Sequence, residues 1–211
     1  MDNNQISVNT FDKLAQRYQD KYMDLAMYSD TFDSFISHLP TDDARVLELA
    51  CGPGNITQML LSEKPNLSIL ATDLAPNMLM LAKKNNPKIE VLQLDSRHLN
   101  RVEEQFDAIM CGFCLPYLDR LEAIALIDAA ALRLKLGGIL YLSTMEGECP
   151  NVREDTSSDG DKVFTYFHHA EQLVPALNRR GFKLLALQRK QQASPMGEVT
   201  DLFITARLDS E

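Results

Sequence analysis

The 211-residue chain contains no tryptophan, four cysteines and 21 basic residues against 30 acidic ones. A membrane-spanning helix needs roughly 20 consecutive apolar residues, and the longest apolar runs here reach about ten. Residues 1–13 (MDNNQISVNTFDK) are polar and acidic, where a secretory leader needs a basic start and an apolar stretch. These absences predict a cytoplasmic protein in which Cys51, Cys111, Cys114 and Cys149 stay reduced. The balance of 21 − 30 gives a formal charge of −9. Such a surface disfavours partners recognised through phosphate, so neither nucleic acid nor an anionic membrane is expected. With 45% hydrophobic and 24% charged residues the composition is that of a globular protein, and the length fits a single domain over 1–211. Internal repeats and low-complexity tracts are absent.

Apolar residues at three- and four-residue steps (Phe11, Leu14, Tyr18, Tyr22, Leu25, Phe32, Phe35, Ile36, Leu39) predict helix across 1–40, closed by Pro40. The pattern then alternates. Short apolar runs at Arg45–Ala50, Leu67–Thr72, Ile89–Leu94, Phe106–Cys111 and Ile139–Thr144 read as strands. Helical segments at Ile56–Ser62, Pro76–Lys84 and Leu121–Leu134 separate several of them, the last ended by Gly137-Gly138. Strands apolar on both faces and alternating with helices predict an α/β fold with a mainly parallel sheet. Glu146–Asp161 reads as a polar loop and His168–Arg180 as a helix. Phe182–Lys190 and Glu198–Leu208 follow without an intervening helix, so they must pair antiparallel.

Chemistry concentrates in VLELACGPGN (46–55), where a strand runs through Gly52-x-Gly54 directly into a helix. Glycine permits the sharp turn and close ligand approach, and the helix start offers free N–H groups to an anion. Asp73 ends the second strand and suits both hydroxyls of a ribose. Asp95 ends the third and can accept from an adenine amine. Positions at the carboxyl ends of parallel strands are where open α/β sheets bind ligands.

VLELACGPGN, ATDLAPNML (71–79), QLDSRHL (93–99), FDAIMCGFCLPYL (106–118) and LKLGGILYLST (134–144) together resemble, in order and spacing, the class I S-adenosylmethionine-dependent methyltransferases of small-molecule type. The resemblance implies a three-layer Rossmann-like sandwich with a seven-stranded, mostly parallel sheet. It further implies an antiparallel last strand and a helical lid over 1–40 on a core of 41–211. S-adenosyl-L-methionine would be the cofactor and a small molecule the methyl acceptor, with the protein a monomer or homodimer. Gly52 and Gly54 would border the methionine part and Glu48 would orient it, Ala50 and Asn55 would also bind the cofactor, and Tyr22 with Tyr18 would cover the cofactor from the lid. Asp73 would hold the ribose, Leu74 and Met78 would lie against the adenosine, and Asp95 with the Ser96 backbone would read the adenine. The Cys111 carbonyl would accept from the ammonium group. Two other readings stay open: a non-catalytic sensor or partner protein that binds this cofactor, and an NAD-dependent oxidoreductase. Thr57 stands where the dinucleotide fingerprint needs a third glycine, which disfavours the second.

His168 and His169 are candidate general bases, against a bland role as surface or capping histidines. Tyr117, after the fourth strand, is a candidate substrate contact or a core tyrosine. Cys111-x-x-Cys114 lacks a second close pair, so no metal site is expected. Glu146, Glu148, Glu154 and Asp155 read as a solvated acidic loop or as an attraction for a cationic substrate.

Overall fold

In the computed structural model, which describes residues 2–147, 152–157, 159–194 and 197–209, every expected strand forms. They are β1 (Arg45–Leu49), β2 (Ser68–Asp73), β3 (Glu90–Gln93), β4 (Phe106–Cys111), β5 (Leu134–Glu146), β8 (Phe182–Ser194) and β9 (Gly197–Leu208). Together they make one seven-stranded sheet in the order β3-β2-β1-β4-β5-β9-β8. Neighbours from β3 through β5 pair in parallel, and β9 runs antiparallel between β5 and β8. The strand order reverses between β1 and β4, creating the crevice at which such sheets bind ligands.

Period-two alternation splits β1 between two cores. Val46 joins Phe32, Phe35, Leu60, Leu79 and Tyr141 on one face, under α3 (Ser29–Ser37), α4 (Asn55–Glu63) and α5 (Pro76–Asn85). Leu47 and Leu49 join the other face, covered by α6 (Arg120–Arg133) and α7 (Ala170–Arg179). A capping box starts α6: the Asp119 carboxylate accepts from Glu122 N, and Glu122 Oε2 accepts from Asp119 N, both at 2.8 Å.

The helical stretch expected over 1–40 is broken into α1 (Asn3–Lys13), α2 (Ala15–Tyr22), a 3-10 turn at 26–28, and α3. Two other expectations are corrected. Gly137-Gly138 lies inside β5 instead of closing α6, because Leu134 already pairs opposite Phe106. Gly137 takes the left-handed conformation (φ +82°) where the register with β4 shifts, and a side chain on Gly138 would meet the Lys135 carbonyl at 2.8 Å. The segment read as a polar loop carries one strand, β6 (Arg153–Thr156), of an antiparallel hairpin with β7 (Lys162–Thr165) just beyond it. Its acids are taken up in ion pairs: Asp155 with Arg153 at 2.9 Å, Glu154 with Lys162 at 2.8 Å, and Glu146 with Arg189. Glu148 and Cys149 lie outside the described residues. None of the helices among the described residues is long and apolar enough to cross a membrane.

Candidate functional site

Beyond the ends of β1 and β4, the backbone leaves ordinary geometry. Ala50 and Phe113 both have positive φ, at 52° and 51°. For residues with side chains this costs on the order of 1–3 kcal/mol and clusters at functional sites. Gly52 and Gly54 are also left-handed, but for different reasons. A side chain on Gly54 would come within 2.5 Å of Asn86 Nδ2, so this glycine lets α4 pack against α5. At Gly52 the nearest atom to an added Cβ is Tyr18 Cε1, 3.9 Å away. Gly52 therefore faces room beneath the lid.

Asp73 ties this loop to the end of β2. Its Oδ2 accepts from Gly52 N at 2.9 Å and its Oδ1 from Ala75 N at 2.8 Å, while the residue stays partly exposed. A carboxylate has about four lone-pair sites, so two bonds leave capacity for a ligand's hydroxyls. Burial pushes its carboxyl up, against the opposing pull of those backbone donors.

Glu48 lies below, in β1, with 1% exposure. Thr57 donates to Oε2, and Oε1 has no partner although it is buried. Burial pushes this carboxyl up to about 7. A buried acceptor without a donor is costly and calls for a partner the chain does not supply. An ammonium group fits that requirement, as the open side of Gly52 and the spare acceptor sites of Asp73 fit an adenosyl amino acid.

On the nucleobase side, Leu74 is half-buried, and Met78 is buried with Ala15, Ala75 and Leu81, where Phe11 and Tyr18 of the lid pack. Asp95 is less free than expected, since Arg97 holds both of its carboxylate oxygens. Ser96 opens the 3-10 turn that follows. Cys111 ends β4 fully buried, and Cys51, Cys111 and Cys114 are free buried thiols.

The lid is held down by amides. Asn55 donates to the Tyr22 carbonyl (2.8 Å), and Asn85 to Gln19 and the Pro53 carbonyl (2.8 Å each). Tyr22 itself is 42% exposed, its ring 4.7 Å from that of Tyr18. Phe11 links the pair to half-buried Tyr117, with centroids 5.8 Å from Tyr18 and 4.9 Å from Tyr117.

The two histidines are not equivalent. His168 is 1% exposed, and its Nε2 lies 2.9 Å from the Leu115 carbonyl and 3.1 Å from that of Leu118. Only a ring carrying its proton on Nε2 satisfies those carbonyls, so that nitrogen is a donor and has no lone pair to take a substrate proton. Burial also holds the imidazole below its usual range. The structure makes His168 a tie for the loop after β4, which counts against the role of base. His169 caps α7, its ring within 4.8 Å of carboxylate oxygens of Glu146 and Glu171.

Sequence reasoning passed over Arg97, Phe113, Tyr28 and Asp201. Tyr28 packs on Phe113 (5.4 Å) and donates to Asp201 Oδ2 at 2.8 Å. The left-handed φ of a phenylalanine leaves no local sequence signal, and the Tyr28–Asp201 bond spans most of the chain.

Comparison with known proteins agrees with this geometry. Residues 46–138 match a family model described as a methyltransferase domain. The chain is 35% identical over 97 residues to a trans-aconitate 2-methyltransferase of Methylobacterium nodulans, covering 46% of this chain and 36% of that protein. It is 28% identical over 148 residues to a malonyl-[acyl-carrier protein] O-methyltransferase of Priestia megaterium, covering 68% and 53%. The chain thus spans about half, or less, of the length of these relatives. Among solved structures, DhpI bound to S-adenosylhomocysteine superposes with a TM-score of 0.76 at 18% identity, over 99% of this chain and 98% of that one. An S-adenosylmethionine-dependent methyltransferase from Clostridium acetobutylicum does so at 0.71 and 18%, over 95% and 99%. The chain is thus similar to a methyltransferase domain over residues 46–138, and its seven-stranded fold is shared with these solved enzymes.

Proposed function

We propose that the protein transfers the methyl group of S-adenosylmethionine to a small-molecule acceptor. The observation that carries this reading is the unpartnered, buried Glu48 oxygen beneath the open side of Gly52, beside the Asp73 carboxylate. The cofactor supplies a methyl already activated by a sulfonium, so alignment and water exclusion are what the protein must add.

Glu48 would meet the ammonium group together with the Cys111 carbonyl, and Asp73 would accept from the ribose hydroxyls. Ala50, Gly52, Gly54 and Asn55 would shape the methionine end. Leu74 and Met78 would flank the adenosine, with Asp95 and the Ser96 backbone at the adenine. Tyr18 and Tyr22 would exclude water from above. Tyr117, joined to the lid through Phe11, would face the acceptor, and His169 remains the histidine able to move a proton.

Titration calorimetry tests the cofactor half of this reading. Asp73→Ala should weaken S-adenosylhomocysteine binding by about tenfold or more, the worth of hydrogen bonds to a charged group. An unchanged affinity would sink the assignment. A turnover assay over carboxylates, phenols, amines and thiols tests the other half. Formation of S-adenosylhomocysteine supports transfer, whereas binding of the cofactor without its turnover on any acceptor marks a sensor.

A further inference from the structure

Three acidic side chains from three separate elements converge on one guanidinium. Arg97, in the 3-10 turn after β3, donates from Nε to both oxygens of Asp95 at 3.0 Å and from Nη2 to Oδ2 at 2.8 Å. Its Nη1 reaches Asp2 Oδ2 at 2.8 Å and Glu122 Oε1 at 3.2 Å. Asp2 is the cap of α1 and accepts from Gln5 N at 2.7 Å. Glu122 belongs to the capping box of α6. The side chains of Arg97 and Asp95 are 19% and 14% exposed, so the pair is partly shielded from solvent screening.

Two consequences follow from this fork. The Arg97 backbone N–H also reaches Asp95 Oδ1, at 2.9 Å, so three N–H groups fix the carboxylate in direction and leave one of its about four acceptor sites for a ligand. The same guanidinium grips the first turn of the lid, next to Asn4, which donates to the Tyr117 carbonyl at 3.0 Å. We propose that Arg97 is a positioning residue that aims Asp95 at the cofactor's adenine amine and, through Asp2, couples an occupied nucleobase site to the closed lid. This rests on the cofactor reading above. Lysine cannot replace it, because a point charge reproduces neither the fork nor its span.

Calorimetry with S-adenosylhomocysteine and its hypoxanthine counterpart, S-inosylhomocysteine, combined with amide hydrogen exchange over residues 3–22, tests the coupling. The wild type should prefer the adenine ligand by about tenfold, the worth of one hydrogen bond to a charged group. Arg97→Gln and Arg97→Lys should lose most of that preference, and Arg97→Gln should exchange faster across α1. Asp2→Asn should keep the preference yet show the faster α1 exchange. An Arg97→Gln protein with either the wild-type preference or the wild-type exchange rate overturns the proposal. The exchange arm needs no ligand, so a wild type that fails to bind S-adenosylhomocysteine defeats the cofactor reading, while the latch is still read in the free protein.

Discussion

Glu48 shows how the surroundings of a strand residue reset its protonation chemistry. Alternation places it on β1, burial raises its carboxyl to about 7, and Thr57 satisfies one oxygen. An ordinary glutamate in the unfolded chain titrates near 4.5. Between those values the folded state binds a proton that the unfolded state has lost. The protonated form's contribution to stability is therefore complete below about pH 4.5 and disappears as pH rises through about 7. Glu48→Gln should match the wild type near pH 5 and exceed it by about 2–3 kcal/mol near pH 8. Urea unfolding at the two pH values measures this, and equal differences at both would refute the burial argument. Asp73 stood out in the sequence because it ends the second strand, and Glu48 only through the family resemblance. The capture of Asp95 by Arg97 was not legible there, since the turn that aligns the fork is a matter of backbone geometry.

The elements most readable from sequence are those stabilised locally. Helix α6 carries its own start signal, Asp119 followed three residues later by Glu122, and both bonds of the box are present. Asp119→Ala should cost about 1 kcal/mol, seen as a lower urea midpoint with an unchanged slope. The β6–β7 hairpin is the opposite case. Its first strand is polar, and it is fastened to α1 by hydrogen bonds and an ion pair. Thr10 Oγ1 donates to the Lys162 carbonyl (2.7 Å), the Phe164 N–H donates to Ser7 Oγ (2.9 Å), and Lys13 pairs with Asp161 (2.7 Å). Partners some 150 residues apart leave no periodicity for a sequence pattern to reveal.

The molecule as a whole closes its N-terminal segment over the sheet by long-range polar contacts. Asp12 accepts from Asn77 N at 2.7 Å, Lys190 donates to the Met27 carbonyl at 2.8 Å, and Tyr28 donates to Asp201 on β9. Asp201 is only 2% exposed, and burial pushes its carboxyl up. Tyr28→Phe should destabilise by about 1–3 kcal/mol, because a buried carboxylate loses a donor. Thermal unfolding measures the loss, and Asp201→Asn in the Tyr28→Phe background should recover part of it. A double variant no more stable than Tyr28→Phe alone would rule out the under-bonded carboxylate as the cause.

Strand and helix order, the parallel sheet and the glycine-and-acid pattern at the carboxyl ends of its strands were determined by the sequence alone. All of these follow from short-range periodicity and from spacings of a few residues. Only the tertiary structure decided that His168 is a tie, that Gly54 serves helix packing while Gly52 has room beside it, and that Asp95 is gripped by Arg97. These outcomes depend on which distant groups reach one another's hydrogen-bonding atoms, and that is set by how the layers pack.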